Sequence, residues 1–135
     1  MPPQIDPALV SRSATVETAT IGHIRQLGFA DPAIAPMMPA KTVIGTAVTL
    51  ALPGQDSTLL HDVAGRLRSG DVLVIDRLGD HKHACLGGGV ACAIKAAGCE
   101  AVIIDAPATD RLIPASSLAF LYQPWTRSVS MKRIQ

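Results

Sequence analysis

Two short apolar runs constrain this chain more than any other feature in it. Val72-Leu73-Val74-Ile75 is framed by Gly70-Asp71 and Asp76, and Ala101-Val102-Ile103-Ile104 closes on Asp105. Apolar runs of four without polar alternation predict buried strands, the pattern of a parallel sheet covered on both faces. Between them, Gly88 to about Ala97 reads as a helix that stops at Gly98. Strand, loop, helix, strand is a βαβ unit, whose crossover is right-handed. The predicted fold class is α/β.

The flanking segments extend that alternation. Thr15 to about Gly28 predicts a helix with Val16, Ala19, Ile24 and Leu27 near one side and Gly28 as its stop. A proline-rich connection, 31–39, leads to a strand over Lys41 to Leu52, in which Gly45 signals a bulge or a close backbone approach. After the Pro53-Gly54 turn, Asp56 or Ser57 can cap a helix carrying Leu59, Leu60, Val63 and Leu67, ended by Gly70. Ser117 to Leu121 predicts one more strand. With no repeat or long linker, the chain divides into an N-terminal extension, 1–12, and one α/β domain, 13–135.

Composition excludes several function classes. Apolar residues make up 48% but aromatics only 3%, so the core must be built from Ala, Val, Ile and Leu. Twelve Lys and Arg against eleven Asp and Glu leave a formal charge of +1, no footprint for direct nucleic-acid or anionic-membrane binding. The first residues lack the basic patch and apolar run of a signal peptide, and no stretch approaches the roughly 20 apolar residues of a membrane span. The expectation is a cytoplasmic protein. Cys85, Cys92 and Cys99 recur every seven residues. On one helix that spacing sets them roughly 10 Å apart, beyond disulfide or shared-zinc reach. They read as small hydrophobes on a buried face.

In open α/β sheets ligands gather beyond the carboxyl ends of the strands, here 76–89 and 105–110. Gly87-Gly88-Gly89 opens a helix, where bare backbone amides can close on a carboxylate or phosphate, or where glycines merely allow tight packing. The G-x-G-x-x-G dinucleotide pattern is absent. Asp110 follows the second buried run; it suits a hard cation such as Mg²⁺, and equally a solvated loop acid or a cap. Asp76 and Asp80 leave the same alternatives open, and Asp105 is equally a structural acceptor. His81 and His83, two apart in a polar loop, read as solvated, and His23 and His61 as surface or satisfied helix residues. Ser57, Ser69 and Ser116 lie in no G-x-S-x-G elbow, and Lys132-Arg133 reads as a solvated tail.

Joined in order, TATIGHIRQLG, VIGTAVTL, GDVLVIDRLGD and GGGVACAIKAAGCEAVIIDAPATD resemble the RraA-like family. That family includes 4-hydroxy-4-methyl-2-oxoglutarate aldolases and the RraA regulators of ribonuclease E. The resemblance implies a β/β/α swivelling domain that forms trimers, or hexamers built from them, with sites at subunit interfaces. It implies that Gly87, Gly88, Gly89 and Val90, with position 109, contact the carboxylate of a 2-oxo acid. It also implies that Asp110 binds a divalent metal, Mg²⁺ or Mn²⁺, acting as a Lewis acid on the enolate that aldol cleavage or oxaloacetate decarboxylation leaves.

The sequence departs from the pattern at named places. Thr109 occupies the arginine position and offers no fixed charge, with Arg111 two residues on as a substitute from another direction. Gly88 stands where active aldolases often carry an acid. Family chains also continue past the region matching Leu118 to Gln135 with further strands. Two readings follow: a divalent-metal lyase releasing pyruvate through an eroded site, and a non-catalytic relative that binds a small carboxylate or a ribonuclease partner.

Overall fold

The computed structural model describes residues 1–36, 42–109 and 119–122. In chain order these form α1 (Pro7–Ser13), α2 (Thr18–Arg25), β1 (Ala35–Pro36), β2 (Thr46–Ala51), α3 (Thr58–Ala64), β3 (Asp71–Asp76), α4 (Gly88–Ala96), β4 (Ala101–Ile104) and β5 (Ala119–Tyr122). The strands make one sheet in the order β1-β5-β4-β3-β2. Neighbours from β2 to β5 run parallel, and β1 lies antiparallel to β5. This is an α/β fold.

Parallel strands joined in sequence along one direction require crossovers of one hand, which puts their helices on one face. α3 and α4 accordingly pack together over β2, β3 and β4. Val48 and Leu50, Leu73 and Ile75, and Val102 and Ile104 point at them and share a core with Leu60 and Ile94. Coverage of both faces, expected from the apolar runs, is only partly met. On the opposite face Val74 and Ile103 are half-buried, and Ala47, Thr49 and Ala51 are exposed. The two helices lie over the other face, so these side chains are left with thinner cover.

β4 matches its predicted run, and β3 extends one residue further at each end because Asp71 and Asp76 pair with Thr46 and Ala51 of β2. β2 is shorter than predicted, starting at Thr46. Gly45 precedes it at a close approach: a Cβ there would sit 2.5 Å from the Gly70 carbonyl oxygen. α3 ends at Gly65 rather than Gly70. Leu67 is still buried in the core, but in the turn that follows the helix. Of the helix predicted from Thr15 to Gly28, only Thr18–Arg25 is helical, closed by Gln26 in the left-handed region at φ 52°. β5 includes the described part of the strand predicted from Ser117; residues 117 and 118 lie outside the described residues.

The first five residues are tied to the amino edge of the sheet. Gln4 Nε2 donates to the Ser69 carbonyl at 2.7 Å, and the Ile5 amide donates to Thr46 Oγ1 at 3.0 Å. Asp71 is buried beneath this contact, where burial would raise its pKa. Hydrogen bonds from the Arg68 side chain and backbone and from Gln4 outweigh burial and hold it below the ordinary value. Asp6 then caps α1 through its bond to the Ala8 amide, with Pro7 in the first turn where its missing N–H costs nothing. Neither α1 nor α2 contributes a buried residue.

Candidate functional site

Because β2, β3 and β4 are parallel and in register, their carboxyl ends open on one edge. Three loops meet there: 52–57, 77–87 and 105–109. The residue that joins the first two is Arg77, immediately after β3, with its side chain only 1% exposed. Its guanidinium donates to the Leu52 carbonyl at 3.1 Å, the Gly54 carbonyl at 2.6 Å and Asp80 Oδ2 at 2.9 Å. Its Nε is buried without an acceptor. Burying a cation is costly unless it is paired, and here two carbonyls and a carboxylate offset the cost. Nothing in the spacing of the sequence marks Arg77, because two of its three acceptors lie 23 and 25 residues upstream.

Asp80 organises the rest of this loop. Its carboxylate accepts from the Lys82 and His83 amides and from His83 Nδ1, at 2.9 Å to the nearer oxygen. The Lys82 amide and the His83 ring are the leading causes that hold its pKa well below the carboxylate range. Gln55 Nε2 sits 3.1 Å from His83 Nε2, so the tautomer protonated on Nδ1 satisfies both ring nitrogens. His81 Nδ1 donates to the Asp105 carbonyl at 3.0 Å. The two histidines, predicted to be solvated, are exposed, yet both are hydrogen-bonded to this edge. Asp76 is also exposed and accepts from the Leu78 amide, closing a turn. Asp105 accepts from the Arg77 amide at 2.8 Å, the structural role open to it from sequence.

The third loop brings the 105–109 segment beside the start of α4. Leu86 and Ala108 form a parallel bridge, and the Thr109 amide donates to the Leu86 carbonyl at 3.1 Å. The structure thus sets Thr109 next to Gly87, the N-cap of α4, with Gly88, Gly89 and Val90 in its first turn. The amides that begin a helix lack acceptors inside it and carry the positive end of its dipole. A Cβ added at Gly89 would meet nothing within 4 Å, so open space borders this turn. The Thr109 hydroxyl lies 3.5 Å from the Leu86 carbonyl. Asp110, Arg111, Ser116 and Lys132-Arg133 lie outside the described residues.

The cysteines do not share a helix face. Only Cys92 is in α4, and it is exposed; Cys85 precedes the helix half-buried and Cys99 follows it buried. The predicted buried face fails at Cys92, because α4 turns Ala91 and Ile94 to the core and leaves Cys92 on its outer side. Burial pushes the Cys85 thiol up, with the nearby charge of Arg77 opposing. Burial likewise raises Cys99, whose Sγ lies 3.2 Å from the Asp71 and Ala101 carbonyls. Among the described residues, no group of three or more His, Cys, Asp or Glu could hold a metal ion, and no helix is long and apolar enough to cross a membrane.

With this geometry in place, comparisons with known proteins define the class. The profile of the RraA-like family, described as Aldolase/RraA, matches residues 14–111. The chain belongs to the RraA-like family. Its fold is similar to that of RraAS2 from Streptomyces coelicolor, described as an unusual member of the RNase ES inhibitor RraA protein family. The TM-score is 0.76 at 23% identity, over 91% of this chain and 65% of that one. It is also similar to an uncharacterized protein from Pseudomonas syringae, with TM-score 0.67, 23% identity, and 87% and 57% coverage. A third similar structure is the RNA-processing inhibitor RraA from Thermus thermophilis, with TM-score 0.66, 23% identity, and 80% and 66% coverage. The chain thus spans between 57% and 66% of the length of these proteins.

Proposed function

We propose that this chain binds a small 2-oxo acid at the start of α4 and cleaves it as a slow, divalent-metal-dependent lyase that releases pyruvate. The observation that carries this reading is the juxtaposition of the glycine-opened first turn of α4, with open space at Gly89, and Thr109 held against Leu86. Amides at the positive end of a helix suit a carboxylate and need no side chain to do so. Asp110, one residue beyond Thr109, would hold the metal; Mg²⁺ is commonly bound through one or two carboxylates with substrate oxygens completing its shell. Bound there, a divalent ion would act as a Lewis acid toward the keto oxygen and the enolate of aldol cleavage or of oxaloacetate decarboxylation.

Slowness follows from residue 109. An arginine would place a fixed positive charge beside the developing enolate, whereas the threonine hydroxyl is neutral and lies near a backbone carbonyl. Loss of one preorganised charge stabiliser lowers a rate by roughly 10²–10³. Arg77 does not replace that charge, since its guanidinium is engaged with Leu52, Gly54 and Asp80.

The test is pyruvate release from oxaloacetate and from 4-hydroxy-4-methyl-2-oxoglutarate with Mg²⁺ or Mn²⁺, alongside calorimetric titration with pyruvate. Expected are carboxylate binding, slow EDTA-sensitive turnover, and loss of turnover in Asp110→Ala. Absence of both binding and metal-dependent turnover rejects the reading. A second reading, a regulator that acts by binding a ribonuclease, is favoured by the similarity to two RraA proteins described as inhibitors. It predicts inhibition of a ribonuclease in a purified cleavage assay that Asp110→Ala leaves intact.

A further inference from the structure

We propose that His83 is the acid–base residue for aldol cleavage at the start of α4, taking the proton from the substrate's 4-hydroxyl and returning it to the enolate. The assignment rests on the lyase reading above. Three side chains form a line from the core to solvent: Arg77 is 1% exposed, Asp80 18% and His83 50%. The guanidinium donates to Asp80 Oδ2 at 2.9 Å, and the same oxygen accepts from His83 Nδ1 at 2.9 Å. A loop staple would not need the ring, because the Lys82 and His83 amides already close the loop on Asp80 Oδ1.

A carboxylate on one ring nitrogen fixes the tautomer, leaves the other nitrogen free to accept, and stabilises the imidazolium once a proton is taken. Asp80 is suited to that part, since the Lys82 amide and the His83 ring hold it ionised well below the carboxylate range. Arg77, tied to the Leu52 and Gly54 carbonyls as well, keeps the carboxylate in place. Arg77 and Asp80 are thus positioning residues for the imidazole. Its other nitrogen, Nε2, already has a donor beside it: Gln55 Nε2 stands 3.1 Å away, where a substrate hydroxyl would stand. Gln55 is exposed, so a hydroxyl can displace it into solvent.

The loop that carries His83 is fastened to the third loop on both sides of the ring. Before it, His81 Nδ1 donates to the Asp105 carbonyl at 3.0 Å. After it, the Leu86 carbonyl accepts from the Thr109 amide. Three residues of chain span at most roughly 11 Å, so His83 cannot lie further than that from Leu86, the residue before the α4 cap. A 2-oxo acid whose carboxylate rests on the α4 amides carries its hydroxyl two carbons beyond the keto carbon, along this edge. In the cleavage, the 4-hydroxyl proton passes to Nε2 and the C3–C4 bond breaks. The electron pair of that bond enters the enolate, and the hydroxyl oxygen becomes the carbonyl of the second product. The imidazolium then returns the proton to C3, so pyruvate leaves and the ring is neutral again.

The test compares two reactions of the full chain with Mg²⁺ or Mn²⁺. Cleavage of 4-hydroxy-4-methyl-2-oxoglutarate has a hydroxyl proton to remove, whereas decarboxylation of oxaloacetate has none. A positioned acid–base residue contributes about 10²–10⁴ in rate, so His83→Ala should lower the ratio of cleavage to decarboxylation by about 10²-fold or more. Added imidazole should restore part of that ratio, which no structural role of the ring would allow. Long-range nitrogen NMR gives a readout besides activity: the neutral ring should be protonated on Nδ1 in the parent, and Asp80→Asn should shift it toward the other tautomer. Far-UV circular dichroism verifies that both variants fold. Equal losses in the two reactions, no loss in either, or a parent ring protonated on Nε2 overturns the assignment and leaves the lyase reading in place. So does a parent chain that decarboxylates oxaloacetate without cleaving the aldol. A parent chain that acts on neither substrate overturns the lyase reading and the assignment with it.

Discussion

Residues 71–104 and residues 1–29 are both well supplied with aliphatic side chains, yet the fold buries most of those of the first segment, Leu78 excepted, and exposes those of the second. In the βαβ unit, Leu73, Ile94, Val102 and Ile104 are fully buried. In the N-terminal arm, residues 1–29, α1 and α2 bury nothing. The contrast shows that an apolar stripe is necessary for burial but does not bring a partner with it. Strand pairing of β3 with β2 and β4 brings three rows of side chains under α3 and α4, so each apolar group is met from several sides. Among the described residues, α1 and α2 meet no such surface.

Four substitutions would break or sharpen that contrast. Ile94→Ala removes a fully buried side chain from the centre of the core and should cost about 2–5 kcal/mol, read from urea unfolding. Arg77→Met should cost about 1–3 kcal/mol, because the Leu52 and Gly54 carbonyls and the Asp80 carboxylate lose their donor. Faster proteolysis within 77–87 would accompany it. A variant as stable as the parent would show that the guanidinium is no clamp.

Asp71→Asn separates charge from packing at the root of the arm. The folded pKa of Asp71 lies below the ordinary 3.8, so its stabilisation is complete above that value. As pH falls through the lowered folded value, the carboxyl is protonated and the stabilisation is lost. The Asn variant should therefore be less stable at neutral pH and show a shallower loss in acid, followed by thermal melts across pH. The smallest effect belongs to the arm. Ile24→Ala should change stability by no more than about 0.5 kcal/mol. A loss comparable to that of Ile94→Ala would show that the arm is packed after all.

The candidate site was legible to different depths. Gly87 to Val90 could be placed at a helix start because a glycine run followed by an alanine-rich stretch is a local signal, and local signals need no tertiary partner. Thr109 beside that helix required the β3–β4 register and the Leu86–Ala108 bridge, which set the third loop against the second. Arg77 was not legible, since a loop arginine in solvent and a buried one have the same neighbours in sequence. Its acceptors become neighbours only when β2 and β3 pair. His81 and His83 were read as solvated for the same reason: Asp105 lies 24 residues from His81, and Gln55 lies 28 from His83.

The sequence by itself determined β3, α4 and β4, and with them the α/β class. Uninterrupted apolar runs between acids, and a helix bounded by glycines, leave the backbone few other ways to hide those side chains and satisfy its hydrogen bonds. Only the tertiary structure decided which apolar residues found cover. It placed α3 and α4 on one face, buried the guanidinium of Arg77, stopped α3 at Gly65 while Leu67 stayed in the core, and left Ile24 and Phe29 in water. Burial depends on which surfaces meet across the chain, and that is fixed by crossover handedness and strand register rather than by the pattern of any one segment.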